Sequence, residues 1–176
     1  AAGAARLGAR TLLIEKEPHL GGDCLHYGCV PSKTLIHTAH VRHQLRRAAD
    51  YGLPEVAAAP VDFRKVRERI RSVIAEIQRH DSVERFCGLG AQVEFGAPEF
   101  ADEHSVRLDG ATRSARYWVI ATGSSPAAPE LPALHKVSYL TNREIFSLER
   151  LPATMIILGA GPIAMEMAQA FQRLGT

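Results

Sequence analysis

Apolar residues recur along this chain at two spacings, and each predicts a different element. Phe63, Val66, Ile70, Val73, Ile74 and Ile77 step by three and four, which predicts an amphipathic helix capped by Asp62. Lys33 to about Ala49 also reads as helix, with Leu35, Ala39, Leu45 and Ala48 on one face and Gly52 as its stop. Continuous apolar runs predict buried strands at Thr11-Leu12-Leu13-Ile14, at Tyr117-Trp118-Val119-Ile120 and at Met155-Ile156-Ile157-Leu158. Between the helices and the second of these, Ala91 to Phe95, Glu99-Phe100, Ser105 to Leu108 and Ala115 to Ile120 predict a small meander with turns at Pro98, Asp102-Glu103 and Asp109-Gly110.

Shorter elements fill the gaps. Ala1 to Gly8 reads as the end of a helix, and Asp81 to Cys87 as a helical piece that buries the Cys87 thiol. Pro54 to Pro60 is a loop, Pro126 to Pro132 a proline-rich exit, and Asn142 to Phe146 a helical turn. Leu151-Pro152 marks a boundary, after which a strand, a Gly-x-Gly-x-x-Ala turn (Gly159 to Ala164) and a helix (Met165 to Leu174) follow. Strands that alternate with helices predict an α/β fold with Rossmann-like, three-layer organisation and a small antiparallel meander.

Helix, tight turn, strand and terminal acid, ending in Glu15, form the second half of a dinucleotide-binding unit, in which the acid bonds a ribose hydroxyl. The Gly-rich loop of such a unit lies about 20 residues earlier, which places it before Ala1. Gly159, Gly161 and Ala164 open a second unit: the first makes the turn, the second admits pyrophosphate, and the third allows close helix–strand packing. The residue that separates NAD from NADP falls past Thr176 by the same count. Small residues at Ala121-Thr122-Gly123-Ser124-Ser125-Pro126, after a strand, let backbone approach a ligand or form a plain turn.

Composition changes little in this picture. A net charge of +2 argues neither for nucleic acid nor for a membrane surface, and no apolar run reaches transmembrane length. The Arg-rich run Arg64 to Arg71 is interleaved with apolar residues at helical spacing, as on the wet face of a helix. Three cysteines in a chain of this size suit a reducing, cytoplasmic interior.

Two of those cysteines carry the candidate chemistry. In Gly21-Gly22-Asp23-Cys24-Leu25-His26-Tyr27-Gly28-Cys29-Val30-Pro31-Ser32-Lys33, Pro31 suits a first helical turn and places Cys29 at a helix N-terminus. The helix dipole and Lys33 then favour a thiolate, and a second thiol one turn away suits dithiol/disulfide exchange. The same residues admit a structural disulfide, inert thiols, or a zinc module recruiting His26, His37, His40 or His43.

This stretch resembles the redox motif of the class I pyridine nucleotide–disulfide oxidoreductases: a glycine pair, Cys, four residues, Cys, Val, Pro, then Ser-Lys. Ala121 to Pro126 resembles the family's second flavin-domain motif, and Gly96-Ala97 the segment that meets adenine. The resemblance implies FAD and NADP (or NAD) as cofactors, with no resident metal. Cys29 would be the flavin-side, charge-transfer thiol and Cys24 the interchange thiol. Lys33 would lie beside the flavin and pair with Glu166. Glu15, Gly22, Asp23, Ala97, Thr122 and Gly123 would complete the flavin side, and Gly159, Gly161, Ala164 and Glu166 the nicotinamide side.

Two positions depart from the family pattern and a third is similar to some of its members. Asp23 stands where many members have Thr, Pro162 where several have Tyr, and Ala164 at the third glycine position is similar to NADPH users. The segment Pro162 to Phe171 is most similar to mercuric reductase-like members, with dihydrolipoamide dehydrogenase-like members next. The implied organisation is an FAD-binding domain over 1–150, lacking its first strand and Gly-rich loop, and the first βα unit of an NAD(P)-binding domain over 151–176. The implied function is electron transfer from NAD(P)H through FAD to a Cys24–Cys29 disulfide. From there electrons would pass to Hg(II) or a small disulfide, in a homodimer of the full-length protein. As it stands, the chain also reads as a flavin-binding fragment without turnover.

Overall fold

The computed structural model describes residues 1–57 and 59–176. In chain order its elements are α1 (Ala2–Arg6), β1 (Thr11–Glu15), α2 (Gly22–His26), α3 (Cys29–Arg46), α4 (Phe63–Gln78), α5 (Val83–Gly88), β2 (Ala91–Phe95), β3 (Glu99–Asp102), β4 (Ser105–Leu108), β5 (Ala111–Ser114) and α6 (Pro162–Leu174). They form two compact units: Ala1–Gly22 with Glu76–Ser124, and Asp23–Ala75 with Ser125–Thr176. The expected loop Pro54 to Pro60 includes Ala58, which lies outside the described residues.

In the first unit, β1 and β2 pair in parallel, from Thr11 opposite Ala91 to Glu15 opposite Phe95. The Gly96 N–H extends the ladder by donating to the Glu15 carbonyl at 2.9 Å. Helix α5 leads into β2, and the Ser82 hydroxyl caps it by accepting from the Arg85 N–H at 3.3 Å. Strands β3, β4 and β5 form a separate antiparallel meander. Its second hairpin turns on Asp109 and Gly110, both at positive φ (49° and 81°), the combination that matches strand twist in a two-residue turn. The expected meander is therefore present, but β5 takes residues 111–114 instead of 115–120.

The second unit has the principal helical core. Leu35 and Ala39 of α3, Phe63, Val66 and Ile70 of α4, and Met167, Ala170, Phe171 and Leu174 of α6 are buried together with Phe146. Phe63 stacks on Phe171 with ring centroids 5.8 Å apart. Each ring contributes roughly 1.5–3 kcal/mol by burial, and truncating Phe171 to Ala costs about 3–5 kcal/mol. Pro162 opens α6 at its first helical position, and Gly175, left-handed at φ 109°, closes it.

Four expectations need correction. Tyr117 to Ile120 and Met155 to Leu158 form no ladder, because no partner strand lies beside either among the described residues. Tyr117, Val119 and Ile120 are 77%, 91% and 73% exposed. Met155 and Ile157 pack on the core while Ile156 and Leu158 face out, the period-two alternation of a strand without its neighbour. Cys87 is exposed, because the short α5 turns Val83 and Phe86 inward and leaves the next position outside. Leu45 is exposed as well, on a face of α3 that Leu35 and Ala39 do not share.

Candidate functional site

Cys29 is the first residue of α3, with Gly28 as its N-cap, and Cys24 lies within the short α2. Both thiols are free and exposed. A hydrogen bond with Cys29 raises the Cys24 pKa above the usual thiol value, and partial burial raises it further.

Glycine makes this approach possible. A Cβ at Gly28 would stand 2.9 Å from the Asp23 carbonyl oxygen and 3.2 Å from the Cys24 Cα. The same Asp23 carbonyl accepts from the Tyr27 N–H at 2.8 Å, which winds α2 back toward α3. Within α3 the first turn is tied down by the Ser32 hydroxyl donating to the Cys29 carbonyl at 3.2 Å and Thr34 donating to Val30 at 2.8 Å.

Lys33, one turn beyond Cys29, forms an ion pair with Glu166 of α6. Their side chains are 62% and 38% exposed, so the pair adds at most about 1 kcal/mol of stability. Its value is positional: it fixes an ammonium on the helix that begins with Cys29. Asp23 faces a cation too, with its Oδ1 3.6 Å from Arg143 Nη2. The guanidinium of Arg143 lies 4.6 Å from the centre of the Tyr27 ring, and Asn142 Nδ2 donates to the Tyr27 carbonyl at 3.0 Å.

Sequence reasoning missed Arg143 and Asn142 as neighbours of the dithiol. A signal was available in Thr141-Asn142-Arg143-Glu144, which has the spacing of a capping box. Glu144 Oε2 accepts from both the N–H and the hydroxyl of Thr141, at 2.8 and 2.6 Å.

The nucleotide segments leave room for a bound dinucleotide. Gly159 has φ +126°, which a side chain rarely adopts, and Ala164 is the small residue facing it, 4.0 Å from where a Cβ would sit. Gly161, the N-cap of α6, has nothing within 4 Å of an added Cβ. Open backbone at the start of a thirteen-residue helix suits a pyrophosphate. In the first unit, Glu15 ends β1 and its Oε1 accepts from the Glu17 N–H at 2.9 Å. Gly22 begins α2, Ala97 follows β2, and Thr122 and Gly123 lie in an irregular segment; all four are exposed. Small exposed residues with a carboxylate at a strand's end fit the adenosine half of a dinucleotide. The structure thus brings Cys24 to Cys29, Lys33 to Glu166, and Asp23 to Arg143. Among the described residues no group of three or more His, Cys, Asp or Glu could hold a metal ion. No helix there is long and apolar enough to cross a membrane.

Comparison with known proteins converges on one family. Its profile, described as pyridine nucleotide-disulphide oxidoreductase, matches residues 1–176. A mercuric reductase of Streptomyces lividans is 33% identical over 181 residues, covering 100% of this chain and 38% of its own length. One from Bacillus cereus is 32% identical over 173 residues, covering 98% of this chain and 27% of its own length. The chain thus spans between 27% and 38% of these curated relatives. Among solved structures, the HOCl-induced flavoprotein disulfide reductase RclA from Escherichia coli superposes with a TM-score of 0.83 at 26% identity, over 100% of this chain and 37% of that one. Its Cu(II) complex gives 0.81 at 25% identity, over 99% and 37%. The α/β fold, with its small antiparallel sheet, is that of the flavoprotein disulfide reductases.

Proposed function

The chain belongs to the pyridine nucleotide-disulphide oxidoreductase family, and we propose that it is the flavin-side part of an NAD(P)H-dependent reductase of mercuric reductase type. One observation carries this reading: Cys29 begins α3 with Cys24 of α2 held close by the tight approach at Gly28, and the Lys33–Glu166 pair lies one turn further along α3. FAD, when bound, supplies a two-electron carrier between a nicotinamide and the dithiol.

The protein's own residues do the rest. Residues 1–150 form the FAD-binding domain, where Glu15, Gly22, Asp23, Ala97, Thr122 and Gly123 hold the cofactor. Residues 151–176 open the NAD(P)-binding domain, where Gly159, Gly161 and Ala164 admit the pyrophosphate, with NADP favoured by Ala164. Lys33 supports negative charge at the start of α3, and Glu166 keeps that ammonium in place. Cys29 would be the flavin-side thiol when FAD is bound. Cys24 meets the substrate. Soft thiolates select soft metal ions. The mercuric reductases among the relatives, and the Cu(II) complex among the similar structures, favour such an ion. A second reading, reduction of a small disulfide such as lipoamide, is favoured by the disulfide reductase RclA. The working form in either reading is a cytoplasmic homodimer of the full-length protein.

NADPH oxidation by the FAD-loaded full-length protein, with Hg(II) and lipoamide as separate oxidants, decides between them. Turnover with Hg(II) that is lost in Cys24→Ser supports the first reading. Turnover with lipoamide alone supports the second, and no turnover with either refutes both.

A further inference from the structure

We propose that Arg143 is a positioning residue. It holds the segment between the two cysteines, and it thereby sets how readily Cys24 and Cys29 close into a disulfide. This rests on the dithiol reading above.

The contacts of Arg143 bracket the dithiol. Asp23, 3.6 Å from its Nη2, immediately precedes Cys24. Tyr27, whose ring centre lies 4.6 Å from the guanidinium carbon, stands between the cysteines. Asn142 adds a hydrogen bond to the Tyr27 carbonyl at 3.0 Å. The Arg143 and Asp23 side chains are only 33% and 37% exposed, so water weakens this contact less than it does a fully exposed pair.

The clamp is itself anchored. Glu144 closes the turn onto Thr141, the Arg143 N–H donates to the Thr141 hydroxyl at 3.1 Å, and Phe146 is buried in the helical core. The segment carrying Arg143 is therefore held to the same core that holds α3, and Arg143 ties the chain before and between the cysteines to it.

The effect on the thiols follows from what each redox state leaves free. Closing a disulfide restricts the chain between the cysteines. A dithiol whose intervening segment is already clamped loses less freedom on closure. Removing the clamp frees the dithiol more than the disulfide, so the equilibrium moves toward the dithiol. A partly shielded cation–π contact of this kind corresponds to roughly a two- to fivefold change.

The test poises FAD-loaded protein in glutathione buffers of known ratio. The reaction is protein disulfide plus two glutathione thiols giving protein dithiol plus glutathione disulfide: two electrons and two protons pass, and one S–S bond replaces another. Acid quenching, alkylation and mass measurement count the thiols. Arg143→Ala is expected to shift this equilibrium two- to fivefold toward the dithiol, which is about 10–20 mV for a two-electron couple. Arg143→Lys should restore part of the shift. Tyr27→Leu should shift it in the same sense and combine with Arg143→Ala less than additively, since both remove one contact.

If wild-type protein forms no Cys24–Cys29 disulfide at any ratio, the dithiol reading falls and this proposal falls with it. If wild type closes normally and Arg143→Ala closes identically, the positioning role alone is overturned. A lowered melting temperature with an unchanged equilibrium overturns it in the same way.

Discussion

Substituting alanine at Gly28 perturbs the dithiol at its narrowest point. The added Cβ would lie 2.9 Å from the Asp23 oxygen, 3.2 Å from the Cys24 Cα and 3.4 Å from the Asp23 carbonyl carbon. All three are backbone atoms, so no side chain can rotate away. Carbon contacts relax at roughly 3.5–4.0 Å, which requires the strands of chain to separate by about half an ångström. That movement also stretches the 2.8 Å bond from the Tyr27 N–H to the Asp23 oxygen.

Overpacking of this kind costs about 1–3 kcal/mol. For a chain of this length, that lowers the melting temperature by roughly 2–12 °C. The larger consequence is chemical. A disulfide needs Cβ atoms about 3.5–4.5 Å apart, and the two cysteines are pushed apart by the same half-ångström. Gly28→Ala should therefore melt earlier and hold less Cys24–Cys29 disulfide than wild type at any given glutathione ratio. Gly52→Ala is the control: Gly52 has φ +73° with nothing within 4 Å of an added Cβ. It should lower the melting temperature by backbone strain alone and leave the thiols untouched. A Gly28→Ala protein with wild-type melting and full disulfide closure would refute the close approach.

Other perturbations read other parts of the site. Cys29→Ala removes the hydrogen bond that is the largest influence raising the Cys24 pKa; the pH midpoint for alkylation of Cys24 should fall, and an unchanged midpoint would break the thiol–thiol contact. Cys29→Ser should abolish long-wavelength charge-transfer absorbance in the reduced, FAD-loaded protein, whereas Cys24→Ser should retain it. Lys33→Ala should make the flavin harder to reduce in a dye-coupled titration while shifting the melting temperature by no more than about 4 °C, since an exposed pair is worth at most about 1 kcal/mol. Thr141 holds the Glu144 carboxyl below its usual pKa; a depressed folded value means this contribution is full above the unfolded pKa and is lost as pH falls through the folded one. Thr141→Val removes the hydroxyl but keeps the N–H that also donates to Glu144, so it should weaken that dependence in melting curves recorded between about pH 3 and 6.

Elements made by local contacts were readable from the residues that make them. Pro31 and Cys29 announced the start of α3, Asp62 and the three- and four-residue steps announced α4, and Gly159 with Pro162 announced the turn into α6. The Lys33–Glu166 pair was reached through family resemblance, since nothing in either residue's neighbours points across 133 positions. Strands fared less well for a physical reason. An apolar run such as Tyr117 to Ile120 shows a preference for burial, but a strand exists only beside a partner, and none is paired with it among the described residues. Cys87 was misplaced because six residues of helix carry too little pattern to say which face is inward. Arg143 escaped notice because a charged residue in a turn looks the same whether it faces water or a tyrosine ring.

The parallel pairing of β1 with β2 sets the order in which the chain can fold. Thr11 meets Ala91 eighty residues later in the sequence. The length-dependent part of closing such a loop is about 4 kcal/mol, so this ladder forms late, after the helices between its strands have formed by local contacts. During synthesis at roughly 5–20 residues per second, β2 is made some 4–16 s after β1. For that interval Leu12, Leu13 and Ile14 are without the β2 ladder on the nascent chain. A holdase that covers them until residue 95 is made would raise the yield of folded protein, and slowing the ribosome after residue 15 would lower it.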